Sequence, residues 1–352
     1  MVDNVNGSSN SGKLSARVSA PSQAPLPAVG GDLAWRAASK VDIPKILQLV
    51  NAANKFDEPA RILVADDVNG PFLGSDSQPN TNTVIALDPT GQAVAYAAIS
   101  PPEVQKLAVV VEASGVVHPQ RRGQGIGTAL LDWQDARARQ MLANRSEDLP
   151  GWLGTIAPES APATRAFLEK NGFAEKRCWL EMQRDLSDEI PDPAVPSNIY
   201  ITTPENLSEE TRLAYNDSFQ SHWGSAPDTP ESWRNREQRA DYRPDLSFVA
   251  VAENPAGAPE VTGLVISRVS PEKWEARGGS FAYIHLMGVR SSWRGKGIAT
   301  ALLAHSMQAF RSAGLERAEL NVDTNSPTGA VSVYENLGFR AAYRHSTYVK
   351  EY

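Results

Sequence analysis

Apolar positions along the chain switch between a period of two and a period near 3.6, and glycine, proline and acidic clusters mark the switches. Leu33–Ala37 reads as a short strand and Asp42–Val50 as a helix with an acidic N-terminus and a proline in its first turn. Thr83–Leu87 and Ala93–Ile99 flank Asp88-Pro-Thr-Gly91, the chemistry of a hairpin turn. Lys106–Val117 is a long β-branched strand, Ile126–Met141 a helix, Trp152–Ile156 a strand, and Ala161–Lys170 a helix stopped by Asn171-Gly172. The same order returns later: strand Tyr200–Thr202, helices Ser208–Gln220 and Pro230–Arg239, then strands Phe248–Ala252, Val261–Ser267 and Ala282–Val289. Helix Ile298–Ala313, strand Ala318–Val322 and helix Gly329–Leu337 complete it. Strands and helices mix throughout, so the class is α/β or α+β around mixed sheets.

The recurrence extends to residues. Arg122-Gly-Gln-Gly-Ile-Gly127-Thr-Ala-Leu-Leu131 returns 172 positions later as Arg294-Gly-Lys-Gly-Ile-Ala299-Thr-Ala-Leu-Leu303. Glu169-Lys-Asn-Gly-Phe173 returns as Glu335-Asn-Leu-Gly-Phe339. Two landmarks in one order at nearly one offset indicate a duplicated unit. We divide the chain into a disordered tail (1–31), rich in Ser, Asn, Ala and Pro, a first domain (32–184), a linker (185–198) and a second domain (199–352). Three prolines make that linker an extended, poorly packed connector.

Composition narrows the function. The chain of 352 residues carries a formal net charge of -7, which disfavours nucleic acid as the main partner. A single cysteine, Cys178, excludes an intramolecular disulfide and a multi-cysteine zinc site, and an apolar strand context marks it as a buried structural thiol. The five histidines show no metal-ligand spacing, so no metal is expected; His118, before the first glycine loop, reads as structural. No apolar run is long enough for a bilayer and no signal-peptide pattern opens the chain, which predicts a cytoplasmic protein away from membranes.

Each Arg-x-x-Gly-x-Gly/Ala segment lies between a strand and a helix, so its backbone N–H groups converge on one point with the positive end of the helix dipole behind them. Such a turn receives an anion, and its glycines permit close approach. Neither loop ends as a Walker motif, and Ala129 and Ala301 stand where a dinucleotide fingerprint needs its third glycine.

With these motifs in two copies, both halves resemble the GNAT superfamily of N-acetyltransferases. The tandem plan is similar to that of mycothiol synthases and related actinobacterial acetyltransferases. The resemblance implies two tandem acyltransferase domains, each a mixed central sheet flanked by helices, and acetyl-CoA as co-substrate. It implies that Val117, Arg122, Gly123, Gln124, Gly125, Ile126 and Gly127 form one cofactor site. Met287, Gly288, Val289, Arg294, Gly295, Lys296, Gly297, Ile298, Ala299 and Thr300 form the other, with Asn325 approaching the cofactor.

In the family a tyrosine of the last helix protonates the departing thiolate. Aligned on the Gly-Phe landmarks, Tyr334 takes that position in the second half and Leu168 in the first. Tyr283, His285 and Met287 match Val111, Ala113 and Gly115, so only the second strand is read as carrying titratable groups. His285, with an ordinary pKa near 6.5, is the candidate base, assisted by Tyr283. The mycothiol synthase resemblance implies a glutamate near Tyr283, which this chain lacks.

His222 and Trp223, within Phe219–Gly224, are the candidate acceptor contacts, with a surface aromatic cap as the plainer alternative. Arg234, Arg236, Arg239 and Arg243 are read first as a solvated helix face. The expected activity is acetyl transfer to a primary amine of a small molecule by the C-terminal half, beside a degenerate N-terminal half. A noncatalytic acyl-CoA-binding protein and a mycothiol-type acetylation of a cysteinyl pseudodisaccharide stay open, as do the acceptor's identity and the oligomeric state.

Overall fold

The computed structural model describes residues 12–59, 61–73, 78–220, 222–253, 259–326 and 328–352. The first half runs α1 (Leu14–Arg17), β1 (Ala34–Arg36), α2 (Ile43–Asp57), α3 (Ala65–Val68), α4 (Pro79–Asn82), β2 (Thr83–Leu87), β3 (Ala93–Ile99), β4 (Glu103–Val104) and β5 (Val109–Val117). It ends with α5 (Ile126–Leu142), β6 (Gly151–Pro158), α6 (Pro162–Lys170) and β7 (Ala174–Asp185). The second half runs β8 (Ile199–Thr202), α7 (Ser208–Ser218), α8 (Pro230–Glu237), β9 (Phe248–Glu253), β10 (Pro259–Arg268), α9 (Trp274–Arg277) and β11 (Phe281–Val289). It closes with α10 (Ile298–Ser312), β12 (Arg317–Asp323), α11 (Ala330–Asn336) and β13 (Arg340–Glu351).

All thirteen strands belong to one mixed sheet in the order β1-β2-β3-β5-β6-β13-β7-β12-β11-β10-β9-β8, with β4 beside β5. The centre of this order is an exchange. The last strand of the first half, β7, lies between β12 and β13, and the last strand of the second half, β13, lies between β6 and β7. Side chains follow the strands: Tyr348 of β13 is fully buried in the first half's core with Leu130, Leu153 and Phe173. Leu180 and Met182 of β7 are buried in the second half's core with Leu302, Phe310 and Phe339. The sequence boundaries therefore divide the chain and not the sheet.

Two expectations need correction. Residues 1–11 of the expected disordered tail lie outside the described residues, but from Leu14 onward the segment is ordered. Leu14 is fully buried against Leu142 and Leu153, and its N–H donates to the Glu147 carbonyl. Val18 is buried in the same core, and Arg139 and Gln140 donate to the Ser19 and Pro21 carbonyls, so a few apolar residues and backbone groups dock a stretch that composition marked as solvated. The expected loose linker is also anchored, because Leu186 and Ile190 join the second core and Arg184 donates to the Glu189 carbonyl at 2.6 Å. Among the described residues no helix is long and apolar enough to cross a membrane.

Expressed alone, residues 199–352 should not melt cooperatively, because without β7 the facing edges of β12 and β13 lose their ladder partners. Coexpression with residues 1–198 should restore a soluble, cooperatively melting complex, as followed by circular dichroism. Leu14→Ala should lower the stability of the intact chain by about 2–5 kcal/mol in denaturant titrations.

Candidate functional site

The two glycine loops fold alike. Gly123 and Gly125 have φ of 75° and 80°, Gly295 and Gly297 of 73° and 78°, all in the left-handed region where a Cβ is strained. Gly125 caps the 17 residues of α5 and Gly297 the 15 residues of α10, and neither cap supplies a side-chain acceptor. The first-turn N–H groups of both helices therefore keep their donor capacity for an anion, with the helix dipole behind them.

Ahead of each loop the sheet splits. The parallel ladder between β11 and β12 ends at Ile284 opposite Leu320, while β11 continues against β10 to Val289 opposite Gly263. The ladder between β5 and β6 ends at Glu112 opposite Gly154, while β5 continues against β3 to Val117 opposite Ala95. Each split leaves a strand edge facing a wedge, the place where an extended, amide-bearing chain can add hydrogen bonds. Both wedges and both loops open into one cavity of about 1890 Å³.

The strands differ by one residue. The β10–β11 register shifts between Ile266, opposite Leu286, and Ser267, opposite Ile284, so His285 is the extra residue of a bulge. β3 and β5 pair without a shift, Ala98 opposite Ser114 and Ile99 opposite Ala113. Counted through the ladders, Ser114 stands at the level of Leu286, Ala113 at that of Ile284, and Glu112, whose carbonyl accepts from Ser100, at that of Tyr283. The expected match of Tyr283 with Val111 therefore fails, because a fixed sequence offset cannot see a bulge. Val111 and Ala113 lie against the first core, while Glu112 is exposed and lines the cavity, so the first half also carries a titratable group there.

His285, the base the sequence suggested, is already engaged at one ring nitrogen. Arg236 Nη1 lies 3.1 Å from His285 Nε2, and a guanidinium can only donate, so Nε2 is occupied as acceptor and the ring proton belongs on Nδ1. Arg236 is held in place by Asp228 at 2.6 Å. Burial, aided by Arg268, Arg236 and Arg239, holds the imidazole pKa well below its usual value. The solvated-face reading of the arginines likewise fails for Arg236 and for Arg239, which pairs with Asp241 at 2.9 Å and Asp67 at 3.7 Å.

Tyr283 and Tyr334 both line the cavity, and burial pushes each phenol up to about 12. Tyr334, on α11, is 6% exposed and meets the Phe339 ring edge-on at 5.9 Å. Leu168 holds the matching place on α6 and packs into the first core. Met287, Gly288, Val289, Arg294, Gly295, Gly297, Ile298, Ala299 and Thr300 line the cavity, as do Val117, Arg122, Gly123, Gly125 and Gly127. Lys296, Asn325, Gln124 and Ile126 lie off this wall. Lys296 stands over the Trp293 ring, Asn325 donates its N–H to Asp323, Gln124 accepts from Arg121, and Ile126 is buried. The loop arginines are unlike: Arg122 is clamped bidentate by Asp57 at 2.6 and 2.7 Å, whereas Arg294 donates to the carbonyls of Ser218 and Val289.

His222 and Trp223 do line the cavity; His222 meets Phe219 at 5.2 Å, and the other ring partners of the pair come from the exchanged strands and β6. Trp223 stacks on Trp152 at 6.0 Å, the His222 ring lies 5.9 Å from Trp179, and Trp179 stacks on His345 at 6.4 Å. Reciprocally, Asp67 of α3 reaches Lys273 at 2.8 Å, tying the first half to the second half's acceptor side. Sequence reading missed Trp152, Trp179 and His345, which the strand exchange gathers at the cavity, and Glu112, which an alignment at constant offset mismatched because of the bulge in β11. Cys178 is half-buried rather than buried, and His118 Nδ1 accepts from Gln120 N–H.

We expect the His285 ring to protonate only below the range of a free imidazole, and Arg236→Gln to raise that midpoint by removing a facing cation and freeing Nε2. Nitrogen-edge NMR of the ring across pH checks this, and an unmoved midpoint would contradict it.

Comparison with known proteins agrees with this geometry. The acetyltransferase (GNAT) family model matches residues 209–339, and an acetyltransferase (GNAT) domain model matches residues 79–175. The mycothiol acetyltransferase of Parafrankia sp. (strain EAN1pec) is 28% identical over 338 residues, covering 88% of this chain and 95% of that protein. The mycothiol acetyltransferase of Acidothermus cellulolyticus is 30% identical over 236 residues, covering 64% of this chain and 67% of the relative. Among solved structures, a GCN5-related N-acetyltransferase from Sphaerobacter thermophilus superposes with a TM-score of 0.69 at 26% identity, covering 92% of this chain and 97% of that one. A tandem GNAT protein from the clavulanic acid biosynthesis pathway shares the fold, with a TM-score of 0.65 at 16% identity over 91% of this chain and 98% of its own.

Proposed function

The chain belongs to the acetyltransferase (GNAT) family and is an acyltransferase that uses acetyl-CoA, and from that premise we propose that its C-terminal half acetylates a primary amine of a small molecule. The asymmetry between Tyr334 and Leu168 carries this reading.

Acetyl-CoA supplies an activated thioester, and the residues present suit it: uncapped N–H groups after Gly297, a left-handed glycine pair, and an open strand edge from His285 to Val289. The loop amides and Arg294 hold the pyrophosphate, and the β11 edge aligns the pantetheine arm. Tyr334, kept protonated by burial, donates its phenolic proton to the sulfur as it departs, and the proton shed by the acylated nitrogen passes through water in the cavity to restore the phenol. His285, fixed by Arg236 as a neutral ring with its proton on Nδ1, offers a donor and positions the acceptor without deprotonating it. The surrounding guanidiniums of Arg236, Arg239 and Arg268 favour the neutral amine over the ammonium, so the nucleophile arrives with its lone pair free.

A mycothiol-type acceptor is the second reading, supported by the mycothiol acetyltransferases that this chain resembles. Tyr283, in place of the glutamate that resemblance implies, weighs against it.

Tyr334→Phe should lower kcat by about tenfold or more with little change in acetyl-CoA affinity. Thiol release with a panel of amines, paired with calorimetric titration of CoA, makes the measurement; unchanged turnover would remove Tyr334 as the acid.

A further inference from the structure

We propose that the N-terminal half is a second acyl-transfer site, with Glu112 as its proton acceptor, rather than a degenerate scaffold. This goes beyond the reading of the C-terminal half and does not depend on it. Four observations on separate elements converge. Residues 79–175 match an acetyltransferase domain model by themselves. The loop at Gly123 and Gly125 repeats the backbone of the loop at Gly295 and Gly297 and caps a 17-residue helix with no side chain in the anion's place. The β5–β6 wedge opens into the same cavity as the β11–β12 wedge, its ladder ending one level earlier. Glu112 stands at the mouth of that wedge.

Every other carboxylate on the cavity wall has a cation beside it: Asp57 has Arg122, Glu58 has Arg61, Asp67 has Lys273, and Asp323 has Arg177 at 3.7 Å. Glu112 has neither an ion pair nor a side-chain hydrogen bond among the described residues. The protein around it, and then the nearby Glu103 carboxylate, push its pKa up from the ordinary carboxylate value. Val110, on the same face of β5, packs with Trp152 and Trp223, so an acceptor here meets indole walls beside an uncompensated carboxylate. That chemistry recognises a primary amine arriving as its ammonium.

The missing acid at Leu168 is no obstacle. The ammonium first gives one proton to the Glu112 carboxylate, which releases it to water in the open cavity; the neutral nitrogen then bonds to the thioester carbonyl carbon, its second proton passes to the Glu112 carboxylate, the carbon–sulfur bond breaks, and that proton moves from Glu112 to the thiolate. One carboxyl replaces the acid and the base. The Asp57 clamp on Arg122 predicts that this half holds CoA more weakly than its counterpart, through backbone N–H groups.

Calorimetric titration of the full chain with CoA should show two sites, the weaker one tightened by Asp57→Asn. In a Tyr334→Phe background, the remaining thiol release should fall about tenfold or more on adding Glu112→Gln. A single CoA per chain, a weaker site indifferent to Asp57→Asn, or residual turnover unchanged by Glu112→Gln overturns the proposal. Failure of Tyr334→Phe to slow the parent chain would instead count against the C-terminal reading alone.

Discussion

Backbone hydrogen bonding across the exchanged strands is the constraint on which the rest depends. A split sheet has a structural problem: the wedge that admits the cofactor removes ladder bonds from the middle of the sheet, where they matter most. Here the strands beyond each wedge are paired on both sides by crossing the duplication, β13 between β6 and β7 and β7 between β13 and β12. The two halves can each afford an open seam because they close one another's far side. The same crossing brings Trp152, Trp179 and His345 beneath His222 and Trp223, so the acceptor space is a product of the pairing and not of either unit.

Electrostatics then distinguishes the two seams. Around β11 burial, aided by the guanidiniums of Arg268, Arg236 and Arg239, disfavours the charged form of His285, which turns a residue type associated with proton transfer into a fixed donor. Around β5 the surrounding protein, and after it the Glu103 carboxylate, push Glu112 up. Two like glycine loops thus lead into seams that differ in charge, which is how a duplicated scaffold diverges without changing its loops.

Much of this was legible in the sequence. The hairpin Thr83–Leu87 with Ala93–Ile99, the two glycine loops and the helices after them fall where periodicity and turn chemistry put them, because those signals are local. The roles of Arg236 and Glu112 were not legible, for different reasons. Arg236 sits in a charged run whose ordinary fate is solvation, and only the proximity of Asp228 and His285 recruits it. Glu112 was hidden by the bulge: an alignment at constant offset pairs it with Ile284, and one extra residue in β11 is invisible until hydrogen-bonded partners are counted. The docking of the N-terminal stretch by Leu14 and Val18 and the anchoring of the linker by Leu186 and Ile190 rest on a few apolar residues in polar stretches, below what composition resolves.

The crossing of β7 and β13 also bears on how the chain is made. Emerging from the ribosome at roughly 5–20 residues per second, a domain ordinarily folds once its own residues are out. The first core here lacks Tyr348 until residues 340–351 have been synthesised, so for the whole time that the second half is being translated, the edges of β6 and β7 stand without β13. Folding of the N-terminal half is therefore completed after the C-terminal half has been made, and the nascent chain offers holding chaperones an unpaired sheet centre in place of a finished first domain.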